Sequence, residues 1–278
     1  MKFTKMQGAG NDYIYIDCTK ESIEDPGELS VRLSDRHFGI GGDGIILIKP
    51  SDKADFMMDI YNADGSRAKM CGNGIRCVAK FVYDHLLTDK EVINIDTLSG
   101  VKKITLRKDG DDVVGATVDM GVPVLEASKI PVKVGGSVVV GREAAFGGMP
   151  MKMTCVSMGN PHAVFFVKDV EGMDISGIGP AIEGADIFPE GVNAEFVEVV
   201  DNAHIKMRVW ERGSQETLAC GTGACASVVA ASLNGFTGRK ALVELIGGDL
   251  LIDWSADDDH VYMTGPAQTV FEGEILIK

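Results

Sequence analysis

The chain has 278 residues with 27 basic and 41 acidic side chains, a formal net charge of −14, which argues against a nucleic-acid or anionic-membrane binder. Hydrophobic residues at 45% and charged residues at 24% are the mixture of a globular protein with a sizeable core, so extensive disorder is excluded as a main feature. Glycine, at 34 residues, stands well above its usual share of about 7% and implies many tight turns or close backbone approaches.

In chain order, residues 4–7 and 13–17 read as short strands and 28–36 as a helix. Residues 45–49 and 56–61 run apolar or alternate like strands, and a second helix is expected over 73–86, where Ile75, Val78, Ala79, Val82 and Leu86 share one face. Residues 92–97, 101–107 and 113–118 then read as a β-meander. The same order returns: strands near Met153 and Val164, a helix over 175–184, strands at 195–199 and 206–210, and a helix over 222–234 with Gly235 at its C′ position. Strands near Leu242, Leu250 and Val261 repeat the meander, and 269–277 reads as a last strand that returns to the first half.

Sliding the chain against itself by 149 positions explains the recurrence. Gly10-Asn11 falls on Gly159-Asn160, Gly42 on Gly191, Tyr61 on Trp210, and Cys71-Gly72-x-Gly74 on Cys220-Gly221-x-Gly223. The expected fold is therefore α+β, a mixed α/β chain of two pseudo-symmetric domains. Each is a curved, mainly antiparallel sheet wrapped around a central helix, with the active site in the cleft between them. The expected boundaries are 1–120, joined by the terminal strand 267–278, and 121–266.

The paired cysteines carry the chemistry. Cys71 and Cys220 each stand just before a central helix, with Asn73 and Thr222 suited to cap it. A thiol at a helix amino terminus feels the positive end of the macrodipole, which favours the thiolate, and the adjacent glycines leave first-turn amides open to a carboxylate. Two such thiols on the two faces of one carbon form a two-base racemase, one removing an α-proton and the other returning one. A paired-thiol redox site uses the same residues and is the competing reading. Cys18, Cys77, Cys155 and Cys225 read as buried small hydrophobes.

The remaining motifs weigh less. Residues 39–44 fit a dinucleotide-binding glycine pattern, but the following 45–49 reads as a strand, which speaks against it. The five histidines show no metal-ligand spacing, so no metal is expected. His162 follows Asn160-Pro161, a position that suits either tuning of a nearby thiol or an ordinary turn histidine. Glu211-Arg212 occupies the repeat position of Asn62-Ala63, a divergence that suits a substrate with two different ends. Residues 1–17 hold no apolar targeting core and no stretch reaches the ~18 apolar residues of a membrane span, so the expected location is the cytoplasm.

At these residues the sequence resembles the diaminopimelate epimerases along its whole length. The resemblance rests on Gly8-Ala9-Gly10-Asn11-Asp12, Phe38-Gly39-Ile40-Gly41, Asn62-Ala63-Asp64-Gly65-Ser66, Met70 through Cys77, Gly159-Asn160-Pro161-His162, Gly191-Val192-Asn193, Glu211-Arg212-Gly213 and Ala219 through Cys225. It implies cofactor-independent interconversion of LL- and meso-2,6-diaminopimelate, in lysine and peptidoglycan precursor synthesis, with Cys71 and Cys220 as the acid–base pair. It further implies that Gly72, Asn73, Gly221 and Thr222 bind the reacting carboxylate. Asn11, Gly44, Asn62, Asn160, Asn193, Glu211 and Arg212 would meet the rest of the substrate, while His162 and Glu211 adjust the thiols. The same resemblance implies a homodimer. Gly44 departs from the glutamine that many members carry, and Asn73 separates the chain from proline racemases, where histidine usually follows Cys-Gly.

Overall fold

The structure, a computed structural model, describes residues 1–276 and divides into two compact units. The first comprises 1–119 and the segment from 264 onward, and the second 120–263. The carboxyl-terminal strand runs over Gln268–Glu274, and Ile277, the last residue of the strand expected there, lies outside the described residues.

In the first unit the chain runs β1 (Lys2–Gly8), β2 (Asn11–Asp17), α1 (Pro26–Ser34), β3 (Gly44–Lys49), β4 (Phe56–Asn62), β5 (Arg67–Ala68), α2 (Gly72–Asp84), β6 (Val92–Asp96), β7 (Lys102–Asp109) and β8 (Asp112–Asp119). Most neighbours are antiparallel, but β2 with β3 and β4 with β6 are parallel. Those pairs are the ones whose connection contains a helix, since a parallel partner requires a long crossover. The strand β3 is buried on both faces. Ile45 and Leu47 pack with Leu29 and Leu33 of α1, while Ile46 sits beneath the first turn of α2 at Gly74. Such two-sided burial is why its sequence runs apolar without alternation.

The second unit runs β9 (Arg142–Phe146), β10 (Met149–Ser157), β11 (Pro161–Val167), α3 (Ile175–Glu183), β12 (Asn193–Asp201), β13 (His204–Glu211), β14 (Gln215–Thr217), α4 (Gly221–Leu233), β15 (Lys240–Glu244) and β16 (Leu250–Trp254). The strand β17 (Val261–Pro266) follows, and β18 (Gln268–Glu274) pairs antiparallel with β1 in the first unit. The parallel pairs recur as β11 with β12 and β13 with β15. Both helices of the first unit reappear displaced by 149: Pro26–Ser34 on Ile175–Glu183, and Gly72–Asp84 on Gly221–Leu233. The duplication is therefore gapless through both pairs of α-helices. Among the described residues no helix is long and apolar enough to cross a membrane.

One helix-face residue falls elsewhere than expected. Leu86 lies beyond the end of α2, 88% exposed and at φ 56°. Its N–H bonds to Tyr83 O at 3.0 Å and that of Leu87 to Val82 O at 2.9 Å, which closes the helix with a left-handed residue. Gly235, the residue 149 positions on, does the same at φ 74°.

Candidate active site

Each central helix begins one residue after a cysteine, so the caps are the cysteines themselves rather than Asn73 and Thr222. Cys71 and Cys220 are both extended, at φ −136° and −120°, and their helices start at Gly72 and Gly221. Sulfur takes the acceptor role usually played by a serine or aspartate oxygen: Gly74 N–H donates to Cys71 Sγ at 3.3 Å. Asn73 lies inside the first turn, where its Oδ1 accepts from the buried guanidinium of Arg76 at 3.0 Å. Arg76 also donates to Gly72 O at 3.1 Å and so ties the start of the helix together.

Around Cys71 the first unit assembles a polar chain. The thiol lies 3.1 Å from Asn11 Oδ1, and Asn11 Nδ2 donates to Asp43 Oδ2 at 2.7 Å. A carboxylate accepts only, so Asp43 turns the amide and aims its carbonyl oxygen at the sulfur. Arg36 bridges Asp43 and Asp12, which pairs in turn with Lys5 at 2.6 Å. Asn62 is directed into the β4–β5 turn, where Nδ2 donates to Ser66 Oγ at 3.0 Å.

Gly44 stands between neighbouring strands, opposite Tyr13 on β2 and Asn62 on β4. A Cβ there would lie 2.1 Å from Tyr61 O and 2.8 Å from Tyr13 Cε1. This backbone has no room for a side chain at position 44. Gly44→Ala is expected to destabilise the protein by about 1–3 kcal/mol, the usual range for overpacking. A denaturant midpoint equal to that of the unsubstituted chain would show that β3 and β4 part freely.

The second unit brings together Cys220, Thr222, Asn160, His162 and Glu211. Thr222 Oγ1 lies 3.5 Å from Cys220 Sγ and accepts from Asn160 Nδ2 at 3.2 Å. Asn160 Oδ1 is 3.0 Å from His162 Nε2, and His162 Nδ1 donates to Glu195 Oε1 at 2.7 Å. Both members of that last pair are wholly buried. Thr217 Oγ1 donates to Glu211. Asn193 instead faces the backbone, with Nδ2 on Pro161 O at 3.0 Å and Oδ1 receiving Arg212 N–H at 2.9 Å. The exposed Arg212 side chain bonds to Glu190 O at 2.8 Å.

The expectation that the helix end lowers the thiol pKa does not hold for Cys220. Burial pushes that thiol well up, and the carboxylates of Glu211 and Glu195 push it further. Desolvation and two adjacent negative charges outweigh the dipole of one helix. Burial likewise raises the Glu211 carboxyl. Burial pushes Cys18 up to about 11 and Cys155 up to about 12, consistent with inert packing thiols. None of the six cysteines is joined in a disulfide.

Glu195 and Asp43 are the residues that sequence reasoning passed over. The repeat exposes the first, because Ile46 occupies its counterpart position. Asp43 lies within residues 39–44, whose glycine pattern carries no sign of a contact with Asn11.

Comparison with known proteins follows the same outline. The family model described as diaminopimelate epimerase matches residues 3–126 and 154–270. Two proteins named diaminopimelate epimerase are similar over essentially their full length. That of Methanococcus maripaludis strain C6 is 56% identical over 277 residues, covering 100% of both chains. That of Acetivibrio thermocellus is 54% identical, covering 99% of this chain and 98% of its own. Among solved structures, a phenazine biosynthesis protein of the PhzF family from Bacillus anthracis has a TM-score of 0.68 at 15% identity, covering 100% of this chain and 99% of that one. A hydroxyproline epimerase from Agrobacterium vitis has a TM-score of 0.63 at 15% identity, covering 99% and 90%. These two structures share the fold.

Proposed function

The chain belongs to the diaminopimelate epimerase family and is an isomerase of lysine biosynthesis, and we propose that it inverts one α-carbon of LL-2,6-diaminopimelate with Cys71 and Cys220 as its two acid–base groups. The observation that carries the assignment is the duplication of the thiol site. At positions 149 apart, each unit sets one cysteine as the cap residue of its central helix.

In this reading one sulfur, as thiolate, removes the α-hydrogen as a proton. The other delivers its S–H proton to the opposite face, and the pair is left with its protons exchanged. The charge that develops on carbon spreads into the α-carboxylate, which the first-turn amides at Gly72, Asn73, Gly221 and Thr222 receive at the positive ends of α2 and α4. No cofactor takes part. Asn11, Asn62, Asn160 and Asn193 serve as hydrogen-bonding groups for the substrate, Glu211 for its distal ammonium and Arg212 for its distal carboxylate. His162 and Glu211 adjust the Cys220 proton, a role supported by the contacts of Glu211 and His162 around that thiol. Work as a homodimer in the cytoplasm completes the reading.

Incubation with LL-diaminopimelate followed by chiral separation tests it. The meso form is expected, and in D₂O each inverted centre gains solvent deuterium because the incoming proton comes from an exchangeable thiol. Fully protiated product, or no meso product, would overturn the two-base mechanism.

A further inference from the structure

The gapless duplication allows the surroundings of the two sulfurs to be compared atom for atom. Gly74 and Gly223 occupy the same place in the first turns of α2 and α4. A Cβ on Gly74 would meet Ile46 Cδ1 at 2.7 Å, and a Cβ on Gly223 would meet Glu195 Oε1 at 2.8 Å. Ile46 and Glu195 hold the same register as well. Ile46 lies opposite Tyr15 and Ile60, and Glu195 lies opposite their counterparts Val164 and Val209. Beneath one helix end there is a methyl group; beneath the other there is a carboxylate.

Packing does not require that carboxylate. The first unit fills the equivalent space with isoleucine, fully buried like Glu195, and an ionised group is far more costly to bury than a hydrocarbon. Only half of its hydrogen-bonding capacity is used inside the protein. Oε1 receives His162 Nδ1–H, whereas Oε2 is buried and has no hydrogen-bond partner among the described residues. Two carboxyl groups act on Cys220, Glu195 from β12 and Glu211 from β13, and His162 on β11 is paired with Glu195 and acts on Glu211. Its own helix contributes the Thr222 hydroxyl. Around Cys71 the corresponding positions hold Tyr13, Ile46 and Asn62, none of them a carboxylate.

We propose that Glu195 is a positioning residue whose buried carboxylate keeps the proton on Cys220 in the ligand-free enzyme, so that Cys71 is the first of the two sulfurs to give up its proton. The inference rests on the two-base reading for its catalytic meaning. Two sulfurs in equal surroundings would ionise together, leaving much of the enzyme with two thiols or two thiolates. Carboxylates set directly against one of them, with Asp43 joined to the other through Asn11 and itself paired with Arg36, separate the two ionisations and fill the productive state with one base and one acid. An acid held protonated by a neighbouring charge also sets the alkaline limit of activity.

Alkylation by iodoacetamide reads the proton directly, because the thiolate is the nucleophile. Labelling of Cys220 is followed by peptide mass spectrometry in Cys71→Ala and in Cys71→Ala/Glu195→Gln, between about pH 6 and 10. Glu195→Gln keeps the shape and an acceptor for His162, and the labelling midpoint is expected to fall by about one pH unit, a roughly tenfold gain in thiolate at fixed pH. Glu195→Asp, which keeps the charge, is expected to stay close to the parent. In the otherwise unsubstituted enzyme, Glu195→Gln moves the alkaline limb of kcat/KM to lower pH, whereas a purely structural role would lower the rate at every pH. An unmoved midpoint, or an Asp variant displaced as far as the Gln variant, would overturn the proposal. Should the Gln variant fail to fold, the unsubstituted protein decides the matter: Cys71 is expected to be labelled at lower pH than Cys220, and the reverse order overturns the assignment. These midpoints need no turnover. A protein that shows them but does not epimerise LL-diaminopimelate would overturn the functional reading and leave the effect of Glu195 on Cys220 standing.

Discussion

Cys71→Ala and Cys220→Ala are each expected to lower epimerisation of LL-diaminopimelate by roughly 10⁴-fold, the upper end of what one positioned acid or base contributes. In the two-base reading each sulfur serves one face of the α-carbon, so neither can replace the other. The single variants should differ in which partial reaction survives. With one sulfur left, the α-hydrogen of one stereoisomer can still be removed and returned to the same face, exchanging with solvent without inversion. One variant is therefore expected to exchange the LL form and the other the meso form, as measured by deuterium uptake in D₂O. A variant that exchanges both would mean that one sulfur reaches both faces, and the two-base assignment would be lost. Folding is not at stake, since alanine at a cap position costs only about 0.5–2 kcal/mol.

Arg212→Ala is expected to reduce kcat/KM for LL-diaminopimelate by roughly 10- to 150-fold, the equivalent of a charge-assisted contact of about 1.5–3 kcal/mol. The side chain is exposed and, among the described residues, donates to Glu190 O at 2.8 Å through Nη1; the proposed role has its guanidinium fork engage a distal carboxylate in two parallel bonds. Its backbone N–H is anchored to Asn193 Oδ1 at 2.9 Å, a bond that survives the substitution. Part of the loss should fall on kcat, because remote binding positions the reacting carbon. Lysine, which lacks the distal carboxylate, should be handled poorly by both proteins and be nearly indifferent to the change. Equal losses on the two substrates would mean that Arg212 supports the loop rather than selecting the substrate.

The division of labour between sequence and tertiary structure follows from what each interaction depends on. The repeat at 149, the four helices, the apolar strands and the two Cys-Gly motifs are legible along the chain. They are encoded in periodicity and spacing, which are local properties. The helix ends were less legible. A cysteine has low standing as a cap, and only the observed backbone makes Cys71 and Cys220 the residues that precede α2 and α4. Parallel pairing of β2 with β3 and of β11 with β12 is likewise a tertiary outcome, because an apolar run reads the same in either direction.

The protonation of Cys220 depended most on the third dimension. From sequence the thiol stands at a positive helix end and should ionise readily. In the folded chain, strands β12 and β13 bring Glu195 and Glu211 beside it, 25 and nine positions earlier in the sequence, and Cys220 and Glu195 are buried. Helix-end charge is a local quantity that spacing reveals. Desolvation and the charges of groups distant in sequence are not, and in a buried site they are the larger effects.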